Sequence, residues 1–103
     1  MEIFEITPAS QNKRAWKRGA YGICGLDAAG ETWFNPSVLG SMGIIMALTG
    51  GAQCQVHEID GRRCALIPVA WAKTAFPTFA DDLDVLDSRI RRLAAGQPLE
   101  QYN

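Results

Sequence analysis

The sequence predicts a small, mainly β, α+β domain: five strands, a helix between the third and fourth, and an added helix at the C-terminus. Three observations predict it. Two hairpin signals, Asp27-Ala28-Ala29-Gly30 and Asp60-Gly61, each stand between short apolar segments. An apolar run without charge, residues 36–49, separates the two hairpins. Near the end of the chain Leu83, Leu86, Ile90 and Leu93 recur at helical spacing.

Taken in order, residues 1–7 alternate loosely around Ile3, Phe4 and Ile6 and read as the first strand. Residues 8–18 are polar and read as a loop. Residues 20–26 form a second strand of small and apolar side chains. The Asp27–Gly30 turn, with Gly30 free to take a positive φ, returns the chain antiparallel into a third strand at 31–35. Asn35 offers a capping side chain and Pro36 suits a first helical turn. The run 36–49 is apolar nearly all round, which predicts a buried helix, weakened at Gly40 and Gly43 and ended by Gly50-Gly51. Residues 53–59 and 63–69 are the fourth and fifth strands. Thr78 and Asp81 read as a capping box for the last helix. Its aspartates at 81, 82, 84 and 87 precede Arg89, Arg91 and Arg92, which matches the helix dipole better than catalysis or metal binding. Gly96 and Pro98 stop it. The first six elements follow the order of a five-stranded OB-like barrel. Residues 1–77 are therefore expected to form the barrel, 78–96 a helix packed on it, and 97–103 a tail.

A chain of 103 residues is long enough for one domain and a real core. Hydrophobic residues at 48% and charged residues at 20% exclude a wholly disordered or collagen-like chain. The net charge of −1 places any nucleic-acid affinity in local charge rather than in the whole molecule. Three cysteines without a close pair argue against a disulfide framework and for a reducing compartment. No signal peptide is legible, and the most apolar stretch, 38–48, is shorter than the roughly 20 residues a spanning helix needs. The expected location is cytoplasmic, with no membrane partner.

The densest charge lies in Lys13-Arg14-Ala15-Trp16-Lys17-Arg18, where four of the ten basic residues surround a tryptophan. Basic groups neutralise phosphates, and an indole offers a face to an unpaired base. The same run also reads as a solvated loop with its tryptophan folded onto the barrel. Alternation along strands puts Tyr21 and Ile23 on one face, and Trp33 and Asn35 on one face of the next strand. If Phe34 turns inward, Tyr21 and Trp33 face outward beside the basic run; the converse leaves Trp33 in the core. Cys54 and His57, three apart on a strand, point to opposite faces and make no dyad, and a buried thiol with an exposed histidine is expected there. The spacing of Cys24, Cys54 and Cys64 is poor for zinc. No phosphate-binding glycine loop or hydrolase serine motif occurs. Neither a catalytic residue, a metal nor a cofactor is expected.

The segments Arg18-Gly19-Ala20-Tyr21-Gly22-Ile23-Cys24 and Glu31-Thr32-Trp33-Phe34-Asn35-Pro36-Ser37 together resemble the two ribonucleoprotein motifs of the cold-shock domain family. The glycine-led stretch Gly50-Gly51-Ala52-Gln53-Cys54-Gln55-Val56 is similar to that family's fourth strand, so the likeness covers roughly residues 16–68. Carried over, the stacking aromatics of the first motif fall on Tyr21 and Ile23. The phenylalanine of the second motif falls on Trp33, its histidine on Asn35, its next phenylalanine on Pro36, and Ser37 matches its closing serine. Ile23, Asn35 and Pro36 thus depart from the stacking residues of the pattern, and Ala20 stands where glycine is expected.

The resemblance implies a non-catalytic OB-fold module that binds single-stranded DNA or RNA with low sequence specificity. Its contacts would be Lys13, Arg14, Trp16, Lys17, Arg18, Tyr21, Ile23, Trp33, Asn35 and Arg62, with Arg63 beside them. The alternative is a small protein-binding adaptor or inhibitor, of the kind mobile genetic elements encode, using the aromatic sheet face or the C-terminal stripe. That stripe is expected to dock on the barrel and leave the Tyr21 and Trp33 face open; a seam between two chains is the other reading, so monomer and homodimer both stand.

Overall fold

The computed structural model describes residues 1–6 and 22–97. Strands β1 (Glu2–Ile6), β2 (Gly22–Leu26), β3 (Thr32–Phe34), β4 (Gln55–Ile59) and β5 (Arg62–Pro68) form one sheet in the order β1-β2-β3-β5-β4. Every neighbouring pair is antiparallel. The sheet curls into a half-barrel with β1 and β4 as its two edges. Helices α1 (Gly40–Thr49), α2 (Val69–Ala75) and α3 (Ala80–Ala94) complete a mixed α+β fold.

Both hairpins form where the turn residues demand. Gly30 has φ +82°, and the Asp27 carboxylate accepts the amides of Ala29 and Glu31 at 2.9 Å each, so the side chain itself shapes the turn. Asp60 and Gly61 take φ 52° and 77°, the paired left-handed conformation that joins two twisted strands with least splay. Ile59 therefore lies opposite Arg62, and His57 opposite Cys64.

One face of the sheet carries Phe4, Cys24, Phe34 and Ile67, aligned by the pairs Phe4–Cys24, Cys24–Phe34 and Phe34–Ile67. Leu83, Leu86 and Ile90 of α3 join Cys24, Phe34 and Ile67 in a single buried cluster, with Val69 and Ala72 of α2. The stripe of α3 thus docks on this sheet face. Two ties hold α3 in place: Thr32 Oγ1 donates to Asp87 Oδ1 at 2.5 Å, and Lys73 of α2 pairs with Asp84. Asp84 and Asp87 therefore make tertiary contacts, and only Asp81 and Asp82 lie in the first turn, where the helix dipole favours a carboxylate. Arg89, in the second half of α3, is only 1% exposed. The helix ends as predicted at Gly96, φ +71°, where the amides of Gly96 and Gln97 return to the carbonyls of Leu93 and Arg92.

Three expectations are corrected. The start of α3 has no capping box: Phe79 precedes the helix and no side chain caps it. A 3-10 turn, Pro77–Phe79, leads in instead, and the amide of Ala80 bonds to the carbonyl of Pro77, so backbone supplies the acceptor that Thr78 was expected to provide. The fifth strand runs directly into α2, a helix absent from the expected element order. Pro68, extended at φ −66° and ψ 133°, ends the strand, and the alanine-rich segment after it turns helical until Phe76, held out of helical geometry before Pro77.

The third correction concerns the apolar run at 36–49. It forms a 3-10 turn, Pro36–Leu39, followed by α1, and Asn35 Oδ1 accepts the amide of Ser37 at 2.9 Å as a capping side chain should. The helix is not buried all round. Ala47 enters the core at 1% exposure, whereas Ile45, Met46 and Leu48 are 52%, 45% and 67% exposed. Ala47 shares one buried cluster with Val69 and Ala72 of α2 and with Leu83, Leu86 and Ile90 of α3.

Candidate interaction surfaces

Lys13, Arg14, Trp16, Lys17, Arg18 and Tyr21 lie outside the described residues, in the connection between β1 and β2. Ile23 is half-buried in β2, opposite Glu5. Asn35 is likewise half-buried and engaged twice, its amide on the Ile23 carbonyl and its side chain on Ser37. Arg62 and Arg63 are exposed beside the β4–β5 turn, Arg63 facing Glu58 across the ladder.

Trp33 corrects the expected stacking face. The alternation is as predicted: Cys24 and Phe34 share the α3 face, and Trp33 lies on the other. The α3 helix leaves that second face uncovered, yet Trp33 is only 2% exposed. On its own face the register places Pro68 directly opposite, with Leu66 and Cys64 further along β5, all three buried. An indole among such neighbours gains from leaving water, provided its N–H is satisfied. Nε1 donates to Asp27 Oδ2 at 2.9 Å, which satisfies it. Both Trp33 and Phe34 are thus interior, and no open indole remains in β3 for a base to stack on.

The Asp27 carboxylate accepts three N–H groups, and these hold its pKa below the ordinary value, the Glu31 amide first and the Trp33 indole next. This group shapes a turn and anchors an indole.

The cysteines lie differently from expectation. Cys54 is exposed and precedes β4, while His57 is half-buried and its Nε2 sits 3.1 Å from Gln55 Oε1. The strand partner of His57 is Cys64, a pairing that the two-residue Asp60-Gly61 turn fixes. Burial pushes the Cys24 thiol up to about 12, so it is a packing group rather than a nucleophile. Among the described residues, no cluster of three or more His, Cys, Asp or Glu side chains could hold a metal ion. No described helix is long and apolar enough to cross a membrane.

The surface that sequence reasoning missed is on α1. No Asp, Glu, Lys or Arg occurs between Glu31 and Glu58, so the exposed Ile45, Met46 and Leu48 stand on an uncharged segment. Beside Met46 a groove of about 290 Å³ opens, lined also by Gly50, Trp71, Thr74, Ala75 and Phe76. Its aromatic wall is the edge-on pair Trp71 and Phe76, with centroids 5.9 Å apart and planes at 77°. Gly50 allows the helix end to approach that wall: a Cβ there would meet the Met46 carbonyl oxygen at 2.7 Å and the Trp71 ring at 3.2 Å. The signal in the sequence is the missing charge, which a buried helix and an exposed apolar face share.

No family model, curated protein or solved structure matches this chain.

Proposed function

We propose that this chain is a non-catalytic binding module that recognises a protein surface through α1 and the groove beside it. The observation that carries the reading is the exposure of Ile45, Met46 and Leu48 next to an apolar groove, on a segment with no charged side chain. Apolar surface left in water costs free energy, and a contiguous patch of it on a small domain marks a place where another surface docks. The test is a nuclease-treated pull-down with the full chain and with Ile45→Lys. A stoichiometric protein that the wild type retains and the variant loses supports the reading. Equal retention by both rules it out.

A second reading, single-stranded nucleic-acid binding with low sequence specificity, is favoured by the basic run Lys13–Arg18 and by exposed Arg62 and Arg63. The order β1-β2-β3-β5-β4 supports the OB-like, cold-shock-like form of it, whereas the antiparallel β3–β5 ladder weighs against that barrel. With Trp33 interior, the affinity in this reading comes from phosphate contacts and from Trp16 and Tyr21. Binding of a labelled oligonucleotide should then fall steeply with salt and with Lys17→Glu. An absence of binding at low salt removes this reading.

A further inference from the structure

We infer that the partner of the α1 surface is a second copy of this chain, with Leu48 of each protomer seated in the groove of the other. The inference rests on the protein-binding reading and names its partner.

The first argument is charge. A surface that selects a foreign partner ordinarily does so with a charged rim, because electrostatic complementarity supplies specificity and rejects wrong partners. Among the described residues, neither α1 itself nor the lining of the groove carries a charged side chain. Lys73, next to the groove residue Thr74, is already paired with Asp84 of α3. In a contact between identical copies the same patch meets itself across a two-fold axis, so any charge near that axis would face its own kind. An uncharged apolar face avoids that cost. The net charge of −1 leaves little repulsion between whole copies.

The second argument is shape. At about 100° per residue, Ile45 and Thr49 lie at the centre of the exposed arc of α1, with Leu48 on one flank and Met46 on the other. Met46 lines the groove, and Leu48 is the most exposed large apolar side chain described. The same face therefore carries a projecting side chain and a receiving groove on opposite flanks, at the same height along the helix. A two-fold axis parallel to α1 brings the Leu48 flank of one copy against the Met46 flank of the other, twice. A groove of about 290 Å³ has ample room for a leucine, since an apolar cavity of about 150 Å³ takes benzene.

The test is sedimentation of the full chain over a concentration series, with wild type, Leu48→Lys and, as a second probe from the groove side, Thr74→Glu. Both replaced residues are exposed, so each variant should melt with the wild type at low concentration. The expected result is a two-chain species for wild type that dissociates on dilution. Either substitution should weaken it by about tenfold or more, the loss of one well-packed anchor. A wild type that stays a single chain at the highest concentration overturns the inference. So does a dimer insensitive to both substitutions, and so does an open-ended polymer in place of a closed pair. A monomeric wild type that still captures a protein in an Ile45-dependent way leaves the protein-binding reading standing. A wild type that neither dimerises nor captures a protein fails both.

Discussion

The indole N–H of Trp33 donates to Oδ2 of Asp27 at 2.9 Å, while Oδ1 of the same carboxylate accepts the turn amides of Ala29 and Glu31. One side chain therefore closes the β2–β3 hairpin and satisfies the only polar atom of the tryptophan side chain on the second sheet face. Turn chemistry and core packing meet in this carboxylate, and that coupling keeps Trp33 out of reach of a ligand.

Replacing Asp27 with Asn should lower the melting temperature at neutral pH, because the amide cannot accept all three N–H groups. The folded pKa of Asp27 is depressed, so its ionised form stabilises the fold above the unfolded carboxylate value of about 3.9, and that stability disappears as pH falls through the lower folded value. The melting difference between wild type and Asp27→Asn should therefore shrink in acid. Paired melts at neutral pH and at about pH 2 check this; an undiminished difference in acid would contradict it.

Trp33→Ala should destabilise the protein by about 3–5 kcal/mol, the usual cost of emptying a large buried aromatic site. Denaturant unfolding followed by circular dichroism measures it. A variant as stable as wild type would mean that the indole contributes no core packing.

Thr32→Val keeps the shape of a 2% exposed side chain while deleting the donor to Asp87. A hydrogen bond to a charged acceptor is worth about 1.5–3 kcal/mol, and a loss of that order is expected. Arg91→Gln, which removes only the exposed partner of the same Asp87, should cost about 0.5 kcal/mol or less. Equal effects from the two substitutions would show that the tie between sheet and helix does not matter more than the surface pair.

Leu86→Asp should cost about 2–4 kcal/mol, since it sets a charge into the seam between α3 and the sheet. If α3 instead joined two chains, the variant would fold normally as a smaller species, and sedimentation with melting separates these outcomes.

Alkylation of the native protein should label Cys54 alone, because Cys24 and Cys64 are buried and the Cys24 thiol is pushed up to about 12. Mass spectrometry before and after denaturation reads this directly, one adduct on the native chain against three on the unfolded one.

Features legible in the residues are those that local chemistry decides. The turns at Asp27–Gly30 and Asp60-Gly61 follow from φ values that few residues adopt, so their glycines and aspartates announce them. The stripe Leu83, Leu86 and Ile90 follows from helical period, and Gly96 ends it by taking a positive φ. The opposite facing of Trp33 and Phe34 follows from strand alternation alone.

What the tertiary structure decided was which surfaces reach water. Strand alternation put Trp33 and Phe34 on different faces but could not say that both side chains would be buried, Trp33 with its N–H satisfied by Asp27. The short α2 depended on Pro68 and Pro77 bracketing a segment too brief to show a period. Composition made the run at 36–49 look like a core helix, and for Ala47 it is. Burial, however, is a competition among all elements for one limited interior. Here α2, α3 and Ala47 share the buried cluster, and Ile45, Met46 and Leu48 stand in water. Propensity and period are properties of neighbours along the chain; exposure is a property of everything else that has folded onto it.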